Sequence, residues 1–257
     1  MNIQTADLTY ENNGIVFAAH VAWQQSDDGV DPMPAVLICH DAMGGKSDFE
    51  KGRARALAEL GYVGVAIDTF GHDHRAANAE QAYALIDPLT SNRPLLRERL
   101  KAGLDFARQL PQVDAQKIAV IGYCFGGLCA LELARSGEDI VGAVSFHGLL
   151  TCDDKTPTEA IKAKLLVLNG WSDPFVPAEH VLAFSKEMTE QGADWQLLSY
   201  GHGLHAFSNP LANDRANGIG YDDTIDRRSW KSMNNFLQEV FNTGSSRNRV
   251  GGNCSIT

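Results

Sequence analysis

The strongest constraint on this chain is a cysteine set between glycines at the end of an apolar run. Ile118-Ala119-Val120-Ile121 leads directly into Gly122-Tyr123-Cys124-Phe125-Gly126-Gly127. The apolar run reads as a buried strand. The G-x-C-x-G spacing is that of a nucleophile elbow, a sharp strand-to-helix turn that holds its central residue in strained backbone geometry with the side chain exposed. Glycines are needed two before and two after because a Cβ at either position would strike the neighbouring strand or helix. Cys124 then stands where serine is commoner. A buried cysteine on a glycine-rich strand end is the plain alternative; the flanking glycines, after a β-type run and before a helical one, favour the elbow.

An elbow needs a sheet to project from, and the flanking sequence supplies one. Residues 14–23 alternate Ile15, Phe17, Ala19, Val21 and Trp23, a strand with one buried face, with residues 8–10 as its antiparallel edge partner. Residues 35–40 form a continuous apolar strand. Ser47 and Glu50 match a capping box opening a helix with Phe49, Ala56, Leu57 and Leu60 on one face, and Gly61 stands where a glycine ends it. Residues 62–68 give the next strand. Residues 71–93 are polar, histidine-bearing and weakly periodic, and read as an insertion over the C-terminal edge of the sheet. Residues 94–109 form a crossover helix carrying Leu96, Leu100, Leu104 and Ala107, stopped by Pro111.

Beyond the elbow the alternation continues: helix 128–135, strand 140–146, a polar stretch 151–163, strand 165–168, helix 177–191, strand 195–200 and a terminal helix 229–241. The pattern implies an α/β fold with a mostly parallel central sheet and helices on both faces. At 257 residues, 44% hydrophobic and 21% charged, the chain suits one α/β domain over residues 1–242. Residues 243–257, rich in Ser, Asn, Gly and Arg, are expected to be a disordered tail.

The formal net charge of −10 argues against nucleic acid or an anionic membrane surface as a partner. No stretch approaches the apolar length of a membrane span, and residues 1–10 have no signal-peptide pattern. Five cysteines, none in a C-x-x-C pair, fit free thiols in a reducing compartment. The expectation is a cytoplasmic protein with no membrane segment.

A thiol at an elbow needs a base to ionise it and an acid to orient that base, both at the ends of later strands. Asp173 follows the 165–168 strand, and His205 follows the 195–200 strand in Gly201-His202-Gly203-Leu204-His205-Ala206-Phe207. Nucleophile, acid, histidine is the chain order of α/β-hydrolases. Asp173 before Pro174 can also simply start a turn. His202 competes with His205 for the base; His205 is preferred because Ala206-Phe207 can bury behind it, whereas His202 lies between glycines. Asp41, at the tip of the strand beside the elbow strand, is a second candidate acid.

These segments together resemble the dienelactone hydrolase family. The resemblance rests on Ile121-Gly122-Tyr123-Cys124-Phe125-Gly126-Gly127, on Trp171-Ser172-Asp173-Pro174 and on residues 201–207, with matching element order over residues 14–241. It implies Cys124 as nucleophile, Asp173 as triad acid and His205 as triad base. Asp41 stands where the family has a glutamate that contacts the resting thiol, and is one methylene shorter. A family arginine that follows the catalytic histidine and holds a substrate carboxylate has no match in Ser208-Asn209-Pro210.

The expected activity is cleavage of a small-molecule ester or lactone, either dienelactone hydrolase-like or as a general short-chain carboxylesterase. The rival from another class is a non-catalytic binding protein of the same fold. In the hydrolase reading the thiolate attacks the carbonyl, and backbone N–H groups of Phe125 and Ala42 hold the oxyanion, with no metal or organic cofactor needed. Met43, Tyr123, Trp171 and Phe207 are candidates for the acyl pocket, each of which could equally be plain packing. His72-Asp73-His74 and Cys39-His40-Asp41 offer metal-ligand types, but successive residues on an extended chain face opposite ways, so no metal site is expected.

Overall fold

A computed structural model describes residues 2–25, 31–45, 47–153 and 155–242. Its main sheet has eight strands. β1 (Ile3–Asn12) and β2 (Ile15–Gln24) run antiparallel along one edge, and β2 pairs antiparallel with β4 (Val63–Ile67). From β4 onward all pairing is parallel, through β3 (Met33–Cys39), β5 (Val113–Tyr123), β6 (Gly142–Phe146), β7 (Lys164–Gly170) and β8 (Trp195–Tyr200).

The period of two along these strands divides the interior in two. Ala35, Leu37 and Cys39 of β3, with Ile118 and Val120 of β5, face α3 (Arg93–Arg108), α4 (Phe125–Arg135) and α5 (Ala178–Glu190). Val36, Ile38, Ala119 and Ile121 point the other way, toward α1 (Asp48–Glu59) and α6 (Asp223–Asn242). The central strands are therefore apolar on both faces, as the unbroken runs in the sequence require. The capping box at α1 is formed, with Ser47 accepting from the Phe49 N–H.

Several elements depart from the sequence reading. The expected insertion 71–93 contains α2 (Ala79–Thr90), capped by Asn78 and burying Ala82 and Leu89. The polar residues 71–78 before it and Pro88 near its end mask an apolar run over residues 82–86, and the helix packs against α3. β1 is much longer than residues 8–10, and α6 begins at Asp223 because Asp222 caps the Ile225 N–H at 3.0 Å. A two-residue hairpin, β9 (Asn213–Asp214) with β10 (Ile219–Gly220), is too short to leave an alternation. The expected tail 243–257 lies outside the described residues.

Parallel strands share a direction, so their C-terminal ends gather at one edge. Asp41 follows β3, Asp68 follows β4, Cys124 follows β5, His147 follows β6, Asp173 follows β7 and His205 follows β8.

Candidate active site

Cys124 adopts φ 55° and ψ −117°, the strained turn expected of an elbow. A Cβ at Gly122 would lie 1.8 Å from the Gly126 carbonyl oxygen, and one at Gly126 would lie 2.2 Å from that of Cys39. Only glycine lets the strand and helix close this tightly. Strain of this kind persists where neighbours hold it, and here the Cys124 N–H lies 3.1 Å both from the Phe146 carbonyl and from Nδ1 of His147.

The loop after β8 brings His205 over the thiol, with Nε2 3.0 Å from Cys124 Sγ. Its Nδ1–H donates to Asp173 Oδ2 at 2.8 Å, while Oδ1 of that carboxylate accepts the Phe175 N–H at 2.8 Å. Asp173 is buried, so its alternative role as a turn starter and its role against the imidazole coincide. The His205 backbone is fixed at both ends, its N–H on the Gly218 carbonyl and its carbonyl on the Gly220 N–H, each at 2.9 Å. Burial pulls the His205 pKa down, but the facing thiolate of Cys124 and the hydrogen bond to Asp173 outweigh it and push the value up to about 10. The arrangement is thus suited to a thiolate–imidazolium pair. His202 points outward, its side chain 71% exposed.

Asp41 lines the same cavity, but its Oδ1 accepts the Met43 N–H at 2.8 Å. Among the described residues no hydrogen bond joins it to Cys124. Behind it, Glu50 is fully buried, and burial together with the charge of Asp41 raises its pKa. The N–H groups of Phe125, at the first turn of α4, and of Ala42 have no acceptor among the described residues.

The cavity above the thiol has a volume of about 220 Å³. Met43 and Tyr123 line it, together with Phe49, His147, Asn209, Leu211 and Ile219. Trp171 and Phe207 do not line it. Trp171 follows β7 and is 55% exposed. Phe207 is fully buried, packing edge-on against His147 and Tyr200, because Ala206 at φ 58° turns the chain inward. His147 escaped the sequence reading although it sits at a strand end like the others; the signal was its position directly after the 140–146 strand and before Gly148. Burial, with the His205 charge nearby, holds its pKa well below the usual 6.5.

His72 Nδ1 contacts Asp73 at 2.8 Å on the surface, and His40 is engaged by backbone groups. Among the described residues no group of three or more His, Cys, Asp or Glu side chains is arranged to hold a metal.

A model of the dienelactone hydrolase family matches residues 17–241. The chain belongs to the dienelactone hydrolase family. A solved structure titled m3DLH is similar over 93% of this chain and 99% of its own length, with TM-score 0.86 and 34% identity. A dienelactone hydrolase-like promiscuous phosphotriesterase from metagenomic libraries follows closely, with TM-score 0.84 and 33% identity over 93% of this chain and 98% of its own. An uncharacterised Caenorhabditis elegans protein, K02A2.1, is 39% identical over 157 residues, 60% of this chain and 99% of that one. As a member of the dienelactone hydrolase family, this protein is a hydrolase of carboxylic ester or lactone bonds on the α/β-hydrolase fold. No helix among the described residues is long and apolar enough to cross a membrane.

Proposed function

We propose that this dienelactone hydrolase relative cleaves its ester through a Cys124–His205–Asp173 triad. The observation that carries the reading is the continuous contact path from thiol to imidazole to carboxylate, 3.0 and 2.8 Å, at a strained elbow. Thiolate Sγ attacks the carbonyl carbon, forming the C–S bond as the carbonyl π pair moves onto oxygen. The oxyanion lies against the Phe125 and Ala42 N–H groups. Collapse expels the alkoxide, which takes the Nε2 proton of His205 and leaves a thioester. Neutral His205 then accepts a proton from water as its oxygen attacks the thioester, and the second collapse returns the thiolate. Asp173 holds the imidazole with Nδ1 protonated throughout. One proton of the attacking water is taken up by His205, restoring the imidazolium, and the other leaves with the carboxylic acid product.

The cavity favours a small uncharged group beside the reacting carbonyl. At about 220 Å³ it falls below the roughly 300–1,000 Å³ usual for ligand sites. A second groove of about 350 Å³, with Gly52, Arg53, Ala56 and Pro210 in its walls, shares Phe49, Asn209 and Leu211 with it. We assign this groove to the larger apolar part of the ester. The guanidinium of Arg53 is held there by Asp226 at 2.7 Å and the Ser208 carbonyl at 3.0 Å. The buried thiols Cys39 and Cys129 fit a reducing cytoplasm as the working compartment.

Turnover of an activated aryl acetate by Cys124→Ala tests the assignment. Loss of at least three orders of magnitude is expected, and unchanged turnover would end it.

A further inference from the structure

His40 contacts neither the thiol nor the cavity, yet it is fully buried and both ring nitrogens are engaged. Its Nδ1 lies 2.7 Å from the Asp41 carbonyl oxygen, which can only accept, so Nδ1 carries the proton. Its Nε2 lies 3.1 Å from the Thr69 backbone N–H, which can only donate, so Nε2 presents a lone pair. The Thr69 hydroxyl also meets Nε2, at 2.8 Å, and can donate to the same lone pair, with Asp68 Oδ1 3.8 Å away. The ring packs edge-on against Phe70, with centroids 4.6 Å apart.

The carbonyl that His40 holds belongs to the same peptide unit as the Ala42 N–H. In a planar trans peptide the C=O and N–H point in opposite directions. Fixing the Asp41 oxygen toward the buried imidazole therefore turns the Ala42 N–H the other way, toward the cavity that Ala42 lines. The Gly44 N–H also reaches the Asp41 oxygen, but at 3.3 Å. Without the imidazole proton the Asp41 oxygen keeps only that longer contact, and the peptide is otherwise tied through the Met43 N–H on Asp41 Oδ1.

We infer that His40 is a positioning residue that sets the oxyanion-binding peptide through its Nδ1–H. The inference rests on the thiol hydrolase reading above. Thr69 at the end of β4 orients the ring, His40 orients the peptide, and the peptide presents a donor where charge develops. Such preorganisation matters because a donor already aimed at the oxyanion needs no rearrangement during reaction.

Two substitutions separate this role from mere support. In His40→Asn the side-chain amide nitrogen occupies the place of Nδ1, keeping the donor to Asp41 and losing the acceptor for Thr69. In His40→Gln the amide oxygen reaches the place of Nε2, keeping the tie to Thr69 and losing the donor. Both are assayed with an activated aryl acetate, and the rate of Cys124 alkylation by iodoacetamide is followed in parallel, since that displacement forms no oxyanion. The expected result is a roughly tenfold to hundredfold lower kcat in His40→Gln with KM and alkylation near wild type, and kcat within a fewfold of wild type in His40→Asn. Equal losses in the two variants, or alkylation falling in step with turnover, would overturn the inference. Wild-type turnover in Cys124→Ala would instead overturn the hydrolase reading, so the two failures are distinguishable.

Discussion

Cys124 donates its backbone N–H to Nδ1 of His147 at 3.1 Å. That contact fixes Nδ1 as an acceptor, so Nε2 carries the proton and donates to the Ser208 hydroxyl 2.8 Å away. Ser208 lies three residues beyond His205, so one neutral imidazole joins the elbow to the loop that carries the base.

His147→Leu leaves the Ser208 hydroxyl buried without its partner. A loss of about 1–3 kcal/mol in chemical unfolding is expected. The native His147 pKa is far below 6.5, whereas the unfolded residue takes up its proton as pH falls through 6.5. Its contribution to stability is therefore present above pH 6.5 and lost on acidification toward the native value. Melting temperatures from pH 8 to 5 should fall more steeply for the wild type than for His147→Leu.

The His205 titration depends on the thiol it faces. With Cys124 present the imidazole stays protonated through neutral pH, with its midpoint at about 10. Cys124→Ala removes the opposing thiolate charge, and the midpoint should drop toward the ordinary histidine range. Histidine NMR signals followed against pH read this directly; an unchanged midpoint would show that Asp173 alone sets it.

Asp173→Asn keeps the shape of the loop but replaces an acceptor-only carboxylate with an amide that can present either face to Nδ1. A fall in kcat of roughly 10³–10⁴-fold is expected, by analogy with the same change in serine triads. Far-UV circular dichroism should match the wild type, because the Phe175 N–H still has an oxygen to meet.

Gly52 lines the outer groove, and a Cβ built there meets nothing within 4 Å. Gly52→Phe therefore fills space without striking backbone, and it removes a glycine from inside α1, which favours the helix. Turnover of an aryl acetate should be unchanged, while kcat/KM for esters with a long or bulky apolar portion falls about tenfold or more. Gly52→Ala, adding only a methyl group, should leave the preference as it is. Parallel losses on short and long esters would remove the groove from the substrate path.

What the sequence disclosed follows from where constraint is local. The elbow was legible because steric closure between a strand and a helix demands glycine at Gly122 and Gly126, and this requirement is written in composition. Asp173 and His205 were legible because a periodic strand precedes each. Of the two histidines in that loop it is His205 that lies over the thiol, and Phe207 packs beneath the loop. Burying Phe207 for that purpose also withdraws it from the cavity, and the φ of Ala206 that decides this has no mark in the sequence. His147 and His40 lay beyond reach for a related reason. Much of what each ring meets is backbone, the Asp41 carbonyl and Thr69 N–H for His40 and the Cys124 N–H for His147, and backbone contacts have no residue-type signature. α2 was hidden because its apolar run lies between a polar, histidine-bearing stretch and Pro88.

The short hairpin that ends in β10 has a bearing on how this scaffold can change. Because Gly218 and Gly220 grip both sides of His205, the segment between Phe207 and α6 acts as a splint on the base rather than as loose trim. Exchanging it wholesale for a relative's loop would unseat the imidazole along with the rim. Leu211, 88% exposed at the mouth of both the cavity and the groove, bears none of that grip through its side chain. Diversification of the rim, by selection or in the laboratory, has its least costly starting point there.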